Sequence, residues 1–112
     1  SNLAGDIFNF IEKQRIDGVF LISADRHRID LRKSEHSVGY ALYEFVSGRL
    51  TNKHVHPVVK TKGLIWGYND TCGYCLLRFN TKLADPIVFL EAYNNLGEML
   101  FKKGLKASTL TF

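Results

Sequence analysis

The feature that most constrains the fold is a short apolar run, Val19–Ile22, which lies between a turn and a dense polar cluster. Residues 4–15 precede it with apolar side chains three and four positions apart, a spacing that predicts an amphipathic helix. Asp17-Gly18 ends that pattern, and the partly β-branched run then favours a fully buried strand. A helix, a tight turn and a buried strand predict an α/β unit that supplies an interior strand to a mainly parallel or mixed sheet.

The composition is that of a globular protein, with 46% hydrophobic and 23% charged residues, which excludes disorder throughout the chain. At 112 residues we expect one unit over 1–112. The sequence contains no apolar run long enough to span a membrane and opens without a signal-peptide pattern. A net charge of +4 permits a polyanionic partner without requiring one, since the basic residues are scattered.

Several segments further along the chain are typical of strands. Residues 39–46 fit either a strand or a helix, whereas Val58–Trp66 and Gly73–Phe79 are strand candidates. At the C-terminal end, Asp85-Pro86 is typical of a helix start, but the β-branched and aromatic residues that follow favour a hairpin of strands 87–93 and 98–103. The local pattern leaves both alternatives open.

The two cysteines, Cys72 and Cys75, form a lone Cys-x-x-Cys pair. A zinc site needs four ligands, and thioredoxin-like chemistry needs a helix behind the first cysteine, whereas here an apolar run follows. We therefore interpret both cysteines as residues at the start of a strand.

The polar cluster directly after the first strand carries the candidate chemistry. Asp25 and His27 stand two residues apart, so both side chains can converge on one ion at the end of the strand. A carboxylate and an imidazole suit iron, zinc, manganese or calcium, and the pair does not decide between them. Arg26 and Arg28 flank the pair and are either phosphate-binding groups, because a guanidinium matches phosphate in a bidentate way, or solvated charges. The alternative is an ordinary polar loop.

These residues resemble a known family. Gly18–His27, GVFLISADRH, resembles the GVVFLSGDRH strand and loop of the PhoD-like (alkaline phosphatase D) metallophosphatases, members of the calcineurin-like phosphoesterase superfamily. Tyr40–Thr51 is similar to that family's YPLYEFTSSGLT segment. Gly73–Phe79, Asp85–Ala92 and Leu96–Phe101 resemble its closing strands and hairpin, so the resemblance covers nearly the whole chain in order.

The resemblance implies that residues 1–112 are the C-terminal part of a metallophosphatase domain whose N-terminal half is absent. It implies a strand-rich α/β (α+β) fragment with one N-terminal helix packed on a mixed sheet, a strand at 40–47 and a C-terminal β-hairpin. Asp25 and His27 correspond to metal ligands for iron, calcium, manganese or zinc, and Arg26 is placed to bind the phosphate of the substrate. The motif glycine is replaced by Ala24.

The resemblance also implies the setting of the site. A ligating imidazole needs an acceptor for its second nitrogen, for which Asp30 and Glu44 are the candidates. The parent protein would hydrolyse phosphate mono- or diesters and would be exported or periplasmic, and this chain alone would be inactive. Its expected partners are a phosphate ester, the missing N-terminal half and a second copy bound through exposed core residues.

Two other functions remain open. A nuclease or basic nucleic-acid-binding domain would use the histidines, with His54 and His56 on one face of a strand. A non-catalytic β-rich interaction domain would have a sealed surface. A truncated domain should instead expose an apolar patch where the missing half packed. The side chains expected in that patch are Ile7, Phe8, Val19, Leu21 and Phe45.

Overall fold

The computed structural model describes residues 3–24, 28–47, 63–69 and 72–112. The elements, in chain order, are α1 (Leu3–Gln14), β1 (Leu21–Ser23), β2 (Ile29–Ser37), β3 (Ala41–Val46), β4 (Leu64–Tyr68), β5 (Gly73–Asn80), β6 (Ile87–Asn94), β7 (Met99–Lys106) and a 3-10 helix (Ala107–Thr109). The predicted strand-rich mixture of helix and sheet is therefore confirmed. Neither described helix combines the length and apolar character needed to cross a membrane.

The strands form two sheets. Sheet A has the order β1-β3-β2-β4 and is mixed, because β1 is parallel to β3 whereas β2 is antiparallel to both of its neighbours. Sheet B has the order β5-β6-β7 and is antiparallel. The predicted C-terminal hairpin is confirmed as β6 and β7, and the strand predicted at 40–47 is confirmed as β3.

The turn between β6 and β7 explains why the hairpin prevails over a helix. The side-chain Oδ1 of Asn94 accepts hydrogen bonds from the backbone N–H groups of Leu96 and Glu98, both at 2.9 Å. Gly97 has a φ of 80°, a left-handed conformation that glycine adopts without steric cost. The Asn-x-x-Gly chemistry thus reverses the chain where a helix would have to continue.

The core contains residues from both sheets and the helix. Alternate residues of β2 (Ile29 and Leu31) and of β6 (Val88, Leu90 and Ala92) belong to the same buried cluster. Burying a side chain such as leucine or isoleucine contributes roughly 1.5–3 kcal/mol. The remaining buried members are Ile11 from α1, Val38, Tyr40, Leu42, Phe45, Leu105 and Leu110.

Tyr40 fixes the junction between α1 and β1. Its hydroxyl donates a hydrogen bond to the carbonyl of Ile16 at 2.7 Å and accepts one from the N–H of Val19 at 3.1 Å. Beside it, the N–H of Gly18 donates to the carbonyl of Leu110 at 2.7 Å. The end of the helix is thereby attached both to sheet A and to the C-terminal segment.

Three strands differ from the sequence predictions. The first strand is Leu21–Ser23, and it lies at the edge of sheet A as described, with Ile22 60% exposed. The prediction of a fully buried strand is therefore wrong, because β1 has only one neighbouring strand, β3, within the described sheet. β2 was not predicted, although residues 28–32 alternate between charged and apolar side chains. The candidate strand Val58–Trp66 is observed as Leu64–Tyr68, and residues 58–62 lie outside the described part.

The side chains expected in an exposed apolar patch divide into two groups. Ile7 is 49% exposed, and Phe8, Val19 and Leu21 are partly buried. Phe45 is only 2% exposed and therefore does not contribute to such a patch. It lies on the core-facing side of β3, paired with the buried Leu31 of β2.

Candidate functional site

The predicted ligands Asp25 and His27, together with Arg26, lie outside the described residues, but the residues on either side show where this segment joins the fold. Ser23 ends β1 and is paired with Val46 at the end of the parallel strand β3. In open α/β sheets, ligands bind beyond the carboxyl ends of parallel strands. Residues 25–27 therefore follow directly on an edge of the sheet that is favourable for a binding site.

A second segment starts at the same edge. The backbone N–H of Ser47, the residue after β3, donates a hydrogen bond to the carbonyl of Ser23 at 2.9 Å. The chain continues from Ser47 into residues 48–62, which lie outside the described part and contain His54 and His56. The histidine pair of the nuclease alternative therefore has no described geometry.

A buried charged cluster lies on β2 close to this edge. Asp30 is completely buried, and its Oδ2 accepts a hydrogen bond from Nε of Arg28 at 2.8 Å. The same oxygen lies 3.3 Å from Nη2 of Arg32. The two arginine side chains are only 12% and 14% exposed. Because Ile29 and Leu31 face the core, the alternation of a strand places the three charged residues on the opposite face.

One oxygen of this cluster has no partner. Oδ1 of Asp30 is buried and makes no hydrogen bond within the described residues. Leaving a buried acceptor unpaired costs roughly 1–3 kcal/mol, so such an atom calls for a donor. Asp30 stands three positions after His27 in the chain. It is thus suited to accept a hydrogen bond from a group that enters this region.

Glu44, the other predicted supporting carboxylate, lies on the same face of sheet A. Its position on β3 is paired with Arg32 on β2. Its Oε2 accepts a hydrogen bond from the Ser23 hydroxyl at 2.7 Å. Of the two candidates, Asp30 has a buried oxygen without a hydrogen bond among the described residues, whereas Glu44 is partly buried and accepts from Ser23.

Cys75 contacts Ser47 near this edge and is a packing residue. It lies in β5 and packs against the core, while Cys72 stands just before that strand. Burial raises the pKa of the Cys75 thiol to about 11, and a hydrogen bond with Ser47 acts in the opposite direction. A thiol of this kind stays protonated at neutral pH. Neither cysteine forms a disulfide within the described residues, and both lie at the start of β5 as predicted.

A further charged group lies on the face of sheet B that is turned away from the core. Glu91 is 2% exposed and accepts hydrogen bonds from the Tyr93 hydroxyl at 2.6 Å and from Nε of Arg78 at 2.7 Å. These hydrogen bonds, that from Tyr93 foremost, lower the pKa of Glu91. The same contact with Glu91 raises the pKa of Tyr93. The Tyr93 ring also stacks on Tyr74, with ring centroids 5.2 Å apart.

The described residues bring together no group of three or more His, Cys, Asp or Glu side chains that could bind a metal ion. The proposed ligand pair is not among them, so its geometry stays a prediction. Two described carboxylates lie close to the end of β1. Glu44 contacts Ser23 directly, and Asp30 is paired with Val46, the last residue of β3.

Sequence reasoning took Arg28 for a phosphate-binding or a solvated side chain and did not single out Arg32, so the buried cluster was not predicted. The signal was present as the alternation Arg28-Ile29-Asp30-Leu31-Arg32, with apolar residues at every second position. Such alternation is typical of a strand, but it normally places charged residues in solvent. Only the tertiary structure shows that this charged face is buried.

Comparison of the chain with protein-family models, with curated proteins and with solved structures gives no match.

Proposed function

We propose that this chain is the C-terminal part of a PhoD-like metallophosphatase domain, in which Asp25 and His27 bind metal for phosphate ester hydrolysis. The observation that carries the proposal is the parallel pairing of β1 with β3, which brings their carboxyl ends, Ser23 and Val46, together directly before Asp25 in the sequence. A strand end of this kind agrees with the resemblance of GVFLISADRH to the family's strand and loop.

Asp30 supports the assignment through its unpaired oxygen. A neutral imidazole that ligates a metal donates its other ring N–H to an acceptor, often a carboxylate, which fixes the ring. Oδ1 of Asp30 is buried and lacks a donor within the described residues, so it fits this role for His27. Glu44 gives no such sign of a missing donor, since it is only partly buried and its Oε2 accepts from Ser23.

A bound metal ion would polarise the phosphoryl group and activate water. The chain itself would supply the ligands Asp25 and His27, the acceptor Asp30 and a guanidinium at Arg26 for a phosphate oxygen. The metal is iron, calcium, manganese or zinc in this proposal. Two protein ligands leave a metal ion incompletely coordinated, so the isolated chain is expected to bind metal weakly and to hydrolyse nothing.

The missing ligands would come from an N-terminal half of the domain, and two surfaces suit such a partner. β1 is unpaired on its outer side within the described sheet, and Ile22 on this strand is 60% exposed. Ile7 and Phe10, three positions apart on α1, are 49% and 52% exposed. Exposed apolar groups at a strand edge and on a helix favour a fragment over a sealed interaction domain. The resemblance places the parent protein outside the cytoplasm, and this location is part of the proposal.

Manganese titration of the 112-residue chain, followed by NMR, tests the ligand pair. Bound Mn²⁺ should broaden the amide signals of Ser23, Ala24 and Arg28, which flank the proposed site. Asp25→Asn and His27→Gln should abolish the broadening. The matched controls Asp85→Asn and His36→Gln should leave it unchanged. Broadening that persists in both site variants would overturn the ligand assignment.

A second measurement tests the reaction. With an aryl phosphate and each of the four metals, the isolated chain should show no turnover above the blank. A longer protein that contains this chain and the N-terminal half should be active. In that protein, Asp30→Asn should lower metal affinity or activity by about 10- to 100-fold. Turnover by the isolated chain, or a longer protein that is indifferent to Asp25→Asn, would contradict the proposal.

A further inference from the structure

β5 forms one edge of sheet B. Its eight residues, Gly73–Asn80, are paired along their full length with β6, and no described strand pairs with the other side. An edge strand presents a row of backbone N–H and C=O groups that can pair with another strand. At eight residues, β5 is longer than either edge strand of sheet A and as long as β7, the other edge of sheet B.

The other edges of the two sheets are shorter or better protected. β1 has three residues, and β4 has five with an irregular register. β7, the opposite edge of sheet B, carries lysines at 102, 103 and 106, which oppose pairing with another chain. β5 contains one charged residue, Arg78, and no proline. Leu76 and Phe79 on this strand are 39% and 64% exposed.

We propose that β5 pairs antiparallel with β5 of a second copy, so that two three-stranded sheets join into one of six strands. A two-fold axis centred on Leu76 places Leu76 of one copy opposite Leu76 of the other. The same register places Arg78 opposite Tyr74, because antiparallel partners have a constant sum of residue numbers. Directly opposed side chains stabilise a sheet when both are apolar or aromatic or when they carry opposite charges, and they destabilise it when they carry like charges.

Alternation along the strand puts Tyr74, Leu76 and Arg78 on the same face of sheet B, turned away from the core. They would therefore form a continuous row with the same three residues of the second copy. Arg78 has no cation opposite it in this register. The edge is thus complementary to itself, as a two-fold interface requires.

The contacts of Glu91 order both ends of this row before association. Glu91 accepts the hydrogen bond from Nε of Arg78, and the same carboxylate accepts from Tyr93, whose ring stacks on Tyr74. Side chains that are already held in position lose less conformational entropy on binding. The pairing also stops at two copies. Each copy has one such edge in sheet B, and the lysines of β7 oppose the addition of a further strand at the opposite edge.

Sedimentation equilibrium of the 112-residue chain over a range of concentrations tests the proposal. The chain should pass between a 12.8 kDa monomer and a species of twice that mass. Leu76→Lys should raise the dimer dissociation constant by at least about tenfold, because two lysines would then face each other across the axis. Leu96→Lys is the matched control, since Leu96 is 76% exposed in the turn after β6 and lies off the edge. The dimer dissociation constant of Leu96→Lys should equal that of the unaltered chain.

Hydrogen exchange at low and high protein concentration provides a second readout. Association should slow exchange of amides within Gly73–Asn80 and leave those of β7 unchanged. A chain that stays monomeric at the highest concentration overturns the proposal. So does a dimer that Leu76→Lys leaves intact, and Ile22→Lys then shows whether the edge at β1 forms it instead.

Discussion

Replacing Asp30 by Asn tests whether the buried charged cluster on β2 depends on a negative charge. Asp30 is completely buried and lies within 3.3 Å of both Arg28 and Arg32, whose side chains are 12% and 14% exposed. Asparagine keeps the volume but removes the charge that these guanidinium groups share. Removing one partner of a buried ion pair typically costs about 3–5 kcal/mol. At roughly 4 °C per kcal/mol for a chain of this size, the melting temperature should fall by about 12–20 °C.

The assay is denaturant unfolding followed by the fluorescence of Trp66, the single tryptophan of the chain. Its ring stacks on Phe101 of β7 at 4.6 Å, so its signal reports the packing between the two sheets. The control Glu44→Gln alters a carboxylate on the same face with one described hydrogen bond. It should cost about 1 kcal/mol.

A double variant identifies the cause of the loss. If the uncompensated guanidinium group destabilises Asp30→Asn, adding Arg28→Met should cost less than the sum of the two single changes. A loss below about 1 kcal/mol for Asp30→Asn would refute the reasoning, since it would lie well under the expected cost of leaving buried charge unpaired.

Three further predictions concern other parts of the structure. Tyr40→Phe removes the hydroxyl that bridges Ile16 and Val19 and should cost about 1–3 kcal/mol in the free energy of unfolding, measured by denaturant titration. The lowered pKa of Glu91 means that its stabilising contribution is present above its unfolded-state pKa and is lost as the pH falls through the folded-state pKa. Unfolding measured against pH should therefore show an acid decline that Glu91→Gln reduces, and an unchanged decline would contradict this assignment. With a thiol pKa of about 11, Cys75 should react with iodoacetamide at pH 8 much more slowly in the folded chain than in denaturant, as mass spectrometry of the labelled peptide would show. Equal labelling rates would mean that the thiol is not buried.

The local sequence indicates where β1 ends but not which strand lies beside it. The position of Asp25 and His27 after a strand was evident from the sequence, because an apolar run that ends in polar residues marks a strand end. The parallel pairing of β1 with β3 was not, since it joins residues more than 20 positions apart. That pairing is what brings Ser23, at the end of β1, beside Ser47, which follows β3.

By itself, the sequence determined the local elements of this protein. The spacing of Phe8 and Ile11 predicted α1, and an apolar run predicted β5. For β3 and for the hairpin of β6 and β7, the local pattern left strand and helix both open, although Asn94 and Gly97 supplied turn chemistry. These features follow from interactions between residues close in the chain. Backbone propensity and turn chemistry act at that range, so a single sequence records them.

The tertiary structure alone decided what is buried on both faces of sheet A. Asp30 and its arginines form a strand whose charged face is enclosed, contrary to the usual rule that charged residues face solvent. Phe45 and Ile22 are paired between β3 and β1, yet Phe45 is buried in the core, whereas Ile22 is exposed because β1 lies at the edge of the sheet. Burial depends on which strands become neighbours, and that choice is made by packing across the whole fold, which no local pattern contains.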